Sequence, residues 1–379
     1  MQPSIPATLR EQTLGLLSSG AATSRSDLVE ALRVAPSTVT AVVRRLIEEG
    51  VLLEEGVGRS TGGRRPRILR LRATDGVLAV AELGGRHARV GLLSPAGVLR
   101  RAEEVPIDIA AGPEQVFGAF KETFTRLQAA DAPGQPLLGV GVALPGPVEF
   151  PGGRVVGPAR MPGWSGLDPA RHLSTVFDGF AGPVLVDNDA KAAGIGEYVT
   201  RSLAARDMIY VKAGTGIGAC LVSDGQIYRG GGGLSGDVTH VRVADSGERQ
   251  CSCGSRGCLE TVASGAALAR ELSAPGLPDI MVAVADGDPA VVTAVRQAGR
   301  LLGVALSGLV NFLNPDAVVI GGALSSLGVY VAATKGVLYE RCLPSMTESL
   351  SIEASVAGPD AALVGLGQLL RTAADARTS

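Results

Sequence analysis

The chain has 379 residues, 46% of them apolar, and a formal net charge of −2; that length exceeds what one core usually organises and predicts two or three domains. The near-neutral total hides a split, because residues 1–72 hold 11 arginines, no lysine and 7 acidic residues, while the remainder holds 24 basic and 30 acidic residues. A basic head on an acidic body points to a nucleic-acid module joined to something else, and no apolar run approaches the roughly 18 residues of a membrane-spanning helix.

From the N-terminus, no basic-then-apolar leader pattern is present, so a cytoplasmic, non-membrane chain is expected. Thr8-Leu9-Arg10-Glu11 fits a capping box, and Leu9, Leu14, Leu16 and Leu17 give an apolar stripe. A second short helix is predicted from Thr23–Ser26, carrying Leu28, Val29 and Leu32. Pro36 suits the first position of a third helix that stops near Gly50. Its apolar stripe is Val39, Val42, Val43, Leu46 and Ile47, which leaves Ser37, Thr38, Thr40, Arg44 and Arg45 on the open face. Short hydroxyls early and arginines later suit base edges first and phosphates second. Two short strands follow, Val51–Glu54 and Ile68–Leu71, joined by a Gly-rich segment carrying Arg59, Arg64 and Arg65. Three helices and a cationic wing predict a winged helix-turn-helix that binds double-stranded DNA. Arginines on such an arm suit a narrow minor groove. The alternative is a small helical dimerisation domain with a solvated loop.

The body carries a repeated unit. Residues 77–100 read strand, Gly84-Gly85, strand, and a turn at Pro95-Ala96-Gly97; residues 208–229 repeat this with Gly214-Thr215-Gly216-Ile217-Gly218 and the turn Asp224-Gly225. The offsets are 130 residues between Gly84 and Gly214, and 128 between Gly97 and Gly225. Duplication predicts two α/β lobes across a cleft, each offering backbone N–H groups of a Gly-rich hairpin to a phosphate. Between the units, a buried strand runs into Leu144-Pro145-Gly146-Pro147-Val148, and Val184-Leu185-Val186 leads to Asp187-Asn188-Asp189. Asn188 and Asp189 therefore stand at a strand's carboxyl end, where open α/β sheets bind ligands. Alternatively they only cap the helix expected over 190–198.

Further along, Cys251, Cys253 and Cys258 crowd into eight residues, with His240 eleven residues upstream of the first. Three thiolates and an imidazole form a closed tetrahedral zinc set, so one structural Zn2+ per chain is expected. Asp237 and Glu260 flank it as carboxylates that the loop would orient. Cys220 and Cys342 lie outside the cluster and read as inert core residues.

With these motifs in view, the chain resembles the ROK family of repressors, open reading frames and sugar kinases. It is more similar to the family's repressor branch. The resemblance rests on Ser60-Thr61-Gly62-Gly63-Arg64-Arg65-Pro66, Leu144-Pro145-Gly146-Pro147-Val148, Asn188-Asp189-Ala190, the Gly214–Gly218 loop and the His240/Cys251/Cys253/Cys258 set. It implies a two-lobed, actin-like sugar-kinase body of duplicated ribonuclease H-like type. It also implies that Asn188, Asp189, Asp237, His240 and Glu260 meet sugar hydroxyls. In kinase members the aspartate matching Asp189 is the general base, and Gly84, Gly85, Gly214, Thr215 and Gly216 would form the nucleotide loops. Several positions depart from the kinase pattern. Glu82 and Arg86 replace the Asp and Thr of the first loop, Lys191 replaces an Asn, Arg160 replaces another, and Asp237 is shorter than the usual Glu. Arg160 and Lys191 place positive charge near the pocket and open the case for a phosphorylated or acidic sugar.

These readings converge on a sugar-responsive DNA-binding regulator, most simply a repressor of carbohydrate genes, with a non-catalytic kinase-like sensor body and a homodimeric or homotetrameric assembly on a DNA operator. The domains expected are 1–74 (winged helix), 75–187 completed by 360–379 (first lobe) and 188–359 (second lobe). One competing reading is an active ATP-dependent sugar kinase. Another is a body that docks a transport or phosphorelay protein.

Overall fold

The computed structural model describes residues 7–18, 22–48, 51–55, 67–71, 76–157, 161–201, 205–243 and 247–378. The head consists of helices α1 (Ala7–Ser18), α2 (Arg25–Leu32) and α3 (Pro36–Glu48), followed by the antiparallel pair β1 (Leu52–Glu55) and β2 (Ile68–Leu71). Ser24 caps α2 by accepting from the Asp27 N–H, and Arg33 ends it in a left-handed conformation at φ 52°. Helix α1 already contains Thr8, so Thr8 is not its N-cap as expected. Leu14, Leu28, Val39, Val42, Val43, Leu46, Leu52 and Leu69 close a small core. The four buried aliphatic side chains of α3 contribute about 1.5–3 kcal/mol each by leaving water. Arg59, Arg64 and Arg65 lie outside the described residues.

Beyond the head, strand alternation builds the first five-stranded sheet from β3 (Val77–Leu83), β4 (His87–Leu93), β5 (Leu99–Pro106), β6 (Leu137–Leu144) and β7 (Val184–Asn188). Its order is β5-β4-β3-β6-β7, with antiparallel hairpins on one side and parallel pairing from β3 through β7. Val77, Ala79, Ala81 and Leu83 point to one face, where α4 (Pro113–Asp131) and α5 (Pro169–Val176) cover them with Phe117, Phe120 and Phe124. Leu78 and Val80 point to the other face.

After α6 (Asp189–Thr200), a second sheet repeats the plan with β8 (Asp207–Ala213), β9 (Ile217–Ser223), β10 (Gln226–Ile227), β11 (Ala317–Gly321) and β12 (Ser351–Ala354), in the order β10-β9-β8-β11-β12. Helices α7 (Glu260–Ala263), α8 (Gly265–Glu271), α9 (Leu277–Ala285), α10 (Pro289–Leu313), α11 (Gly328–Arg341) and α12 (Pro344–Thr347) follow between its strands. Residues from several of them, such as Val295, Leu302 and Tyr330, join Val211, Val318 and Ile320 in the core on its outer face.

The last helix, α13 (Ala361–Thr378), packs against α6, β3, β4 and β6. Together α6 and α13 fill the space between the sheets, where Leu78 and Val80 meet Leu363, Leu366, Ala192, Tyr210 and Cys220. The result is five layers, helix–sheet–helix pair–sheet–helix. It places the starts of α6 and of both glycine turns at one end of the molecule.

Candidate functional site

Each glycine turn joins the first two strands of its sheet. At the first, the Gly84 N–H donates to the His87 carbonyl at 2.7 Å, and Gly85 and Arg86 accept from the N–H groups of Ile109 and Ile107. The His87 imidazole lies over this turn, because a Cβ placed on Gly84 would fall 2.8 Å from its ring. At the second, Gly214 and Thr215 accept from the N–H groups of Gly265 and Ala266 at 2.8 and 3.0 Å, fixing the turn to the start of α8.

Asn188 and Asp189 sit where β7 becomes α6. The Asn188 oxygen accepts from the N–H groups of Ala190 and Lys191, and its amide donates to the Gly146 carbonyl and to Asp189 Oδ1. Of the two sequence-level alternatives for Asn188, helix capping is realised in full. Asp189 uses Oδ1 for the Ala190 N–H and Oδ2 for the Lys212 ammonium. The same ammonium donates to Glu82 Oε1. Burial alone would lower the Lys212 pKa, but the charges of Asp189 and Glu82 outweigh it and raise the value above the ordinary lysine range. Lys212 escaped the sequence reading, as did His87, since neither belongs to a motif.

Lys191 occupies a different setting from the one expected. It is 4% exposed and donates to the Gly233 carbonyl, within a network where Arg229 forks onto both oxygens of Asp187 at 2.8 and 2.7 Å. Burial, then partly opposed by Asp187, pulls its pKa below 10.5. Its charge is spent inside the protein instead of facing an open pocket, because its ammonium is buried against the Gly233 carbonyl beside Asp187. Arg160 lies outside the described residues.

The metal candidates do come together. One ligand atom from each of His240, Cys251, Cys253 and Cys258 lies within 4.8 Å of every other. Cys253 and Cys258 sulfurs are 3.8 Å apart, and the His240 Nδ1 to Cys251 sulfur distance is 3.5 Å. With Zn–S of about 2.3 Å and Zn–N of about 2.0–2.1 Å, a tetrahedron has S–S edges of about 3.8 Å and N–S edges of about 3.5 Å. The residues fit. Burial, then contacts with Cys251 and Cys253, push the Cys258 thiol up to about 12, so a cation is what would let it ionise. Nδ1 faces the sulfurs, leaving Nε2 turned elsewhere.

Glu260, the first residue of α7, carries this loop to the second glycine turn. Its Oε2 lies 3.6 Å from the Cys251 sulfur and 3.5 Å from the Ser252 hydroxyl. Its Oε1 would be 3.1 Å from a Cβ on Gly216. Asp237 is exposed, two residues before the buried Thr239, whose hydroxyl has no partner among the described residues. Two contact groups result, Asn188–Asp189–Lys212–Glu82 and His240–Cys251–Glu260–Gly216, joined through β8 and its turn. Cys220 and Cys342 are buried away from both, and burial pushes the Cys220 thiol up to about 12. On the head, Ser37, Thr40, Arg44 and Arg45 are exposed along α3, and Thr38 is half-buried.

Two hairpin lobes around a central helix pair, with a carboxylate at the start of α6 between them, define a sugar-kinase-like α/β protein. The chain belongs to the ROK family, whose pattern matches residues 78–373. It is 28% identical to the xylose repressor of Caldicellulosiruptor bescii over 90% of each chain. It is also 28% identical to a glucokinase of Halalkalibacterium halodurans, over 76% of this chain and 93% of that one. Among solved structures, a ROK family transcriptional regulator described as a homologue of the Escherichia coli MLC protein superposes with a TM-score of 0.71, covering 97% of this chain and 96% of that one at 24% identity.

Proposed function

We propose that the chain is a sugar-responsive transcriptional repressor in which a winged helix-turn-helix head reads a DNA operator and the kinase-like body senses the effector. The observation that carries this is the joining, in one chain, of an exposed Ser37, Thr40, Arg44 and Arg45 face on α3 to the cleft body. Length supports it too, since the xylose repressor aligns over nine-tenths of both chains while the glucokinase leaves out about a quarter of this one. In the division of domains we propose, 1–74 is the head, 75–187 with 360–379 the first lobe, and 188–359 the second lobe. The packing of α13 on β3, β4 and β6 favours its place in the first. A paired operator would call for a dimer or a higher even assembly, because two recognition helices need two half-sites.

In the body we assign Asn188, Asp189, Asp237, Glu260 and His240 Nε2 to the effector, and His240 Nδ1 with the three cysteines to one structural zinc. Carboxylates and amides suit neutral hydroxyls. The case for a sugar phosphate loses one of its two supports with Lys191 buried on Gly233, so a neutral sugar is the effector class we favour. The effector would act through unequal affinity for two arrangements of the paired heads.

The test is a mobility shift on the DNA upstream of the chain's own gene, run with neutral aldoses and with their phosphates, beside a thermal-shift screen. A neutral sugar should raise the melting temperature and change operator affinity by roughly tenfold, the usual scale of coupling between sites. Binding of DNA that no sugar alters would sink the sensor reading.

A further inference from the structure

Glu82 and Lys212 are 130 residues apart, the same offset that separates Gly84 from Gly214. They are equivalent positions in the two repeats, each two residues before the first glycine of its turn, and they meet across the cleft. Asp189 completes a triad drawn from β3, β8 and the start of α6. The Glu82 and Asp189 side chains are only 13% and 16% exposed, so water screens the triad weakly. The ammonium thus holds two carboxylates that would otherwise repel each other at close range.

A phosphoryl-transfer site of this architecture needs a divalent cation beside the nucleotide phosphates and a free base on the acceptor hydroxyl. Here the carboxylate placed to orient the cation and the one placed to act as base share a single lysine. The residues present therefore do not fit a metal–nucleotide complex. We infer that Lys212 is the specificity-determining residue of the cleft, an internal counter-ion that fills the cation position between the lobes and bars metal-bound nucleotide. Two carboxylates against one ammonium leave a net negative floor. Nucleotide phosphates meet repulsion there without a metal, and a metal meets competition from Lys212. A neutral polyhydroxy ligand faces neither obstacle. The inference deepens the reading of the body as a sensor and rests on its cleft alone, so loss of operator binding would leave it standing.

The experiment is electron paramagnetic resonance of Mn2+, with and without ATP, on the zinc-loaded full-length chain. The wild-type protein should bind neither Mn2+ nor Mn2+·ATP at this site. Lys212→Met should gain a Mn2+ site at least roughly tenfold tighter than any in the wild type, as two freed carboxylates can ligate a hard cation. The Lys212→Met, Glu82→Gln double variant should lose that site again, and Lys212→Arg should keep the exclusion. A folded Lys212→Met protein that gains no Mn2+ would overturn the inference. If that variant does not fold, the wild type decides by itself. Mn2+·ATP binding at micromolar levels that Glu82→Gln weakens overturns the proposal, and no binding supports it.

Discussion

Cys253 is exposed while Cys251 and Cys258 are buried, so replacing it perturbs packing least and reports on the metal most directly. Wild-type protein should carry about one zinc per chain, and Cys253→Ser should lose it. The loss of a structural metal should cost about 3–5 kcal/mol, the upper end of single-residue effects. Metal analysis and thermal melting check both; stoichiometric zinc retained by the variant would count against the site. This cluster was legible in the sequence because its ligands are local, all within the segment from His240 to Cys258. Lys212 was not, since its carboxylate partners lie 23 and 130 residues away and meet it only through the fold. Lys191 misled for a related reason. Sequence places it in the first turn of α6 but does not say that its side chain meets the Gly233 carbonyl beside Asp187. Asn188 shows the opposite case, where the plain local rule for helix caps described the contacts of its side-chain oxygen, though not the bond of its amide to the Gly146 carbonyl.

At the scale of elements, the duplication was visible from glycine spacing, and the two sheets do share one strand order. What spacing could not show is how closely α6 and α13 cross between them. A Cβ on Gly196 would lie 1.8 Å from the Ala361 carbonyl oxygen, and one on Gly365 would lie 1.8 Å from that of Ala192. Backbone cannot move aside as a side-chain tip can. Gly196→Ala or Gly365→Ala should therefore destabilise by about 3 kcal/mol or more, despite alanine's better helix propensity. Gly118 in α4 and Gly308 in α10 have open space at the same position, so alanine there should stabilise by about 0.5–1 kcal/mol. Urea unfolding of the four variants checks the sign change. Equal effects at all four sites would show that the crossing is looser than described. The reciprocal contact also explains why an α6 rich in Ala and Gly has little amphipathic pattern, since buried residues from Ala190 to Glu197 surround it.

Across the whole molecule, one carboxylate ties this crossing to the far edge of the second sheet. Glu197 near the end of α6 is fully buried and accepts from Arg201 at 2.6 Å, the Ser355 hydroxyl at 2.5 Å, and the N–H groups of Val356 and Ala357 at 2.9 and 3.0 Å. It thereby grips the turn between β12 and α13, while Arg201 reaches on to Glu353 and the Ala354 carbonyl. Burial pushes the Glu197 pKa up, but the bonds from Ser355, Arg201 and the two N–H groups outweigh it and hold the value below 4.5. Because the folded value is the lower one, the linked stability is present above about pH 4.5 and disappears as pH falls through the folded pKa. Glu197→Gln should cost about 3 kcal/mol at pH 7, the scale of a broken buried ion pair. That cost should shrink as acid protonates the wild-type carboxylate and removes what the variant already lacks. Urea unfolding of both proteins from pH 7 down to the acid limit gives the comparison, and a difference that stays constant across that range would mean that Glu197 holds the two halves by shape rather than by charge.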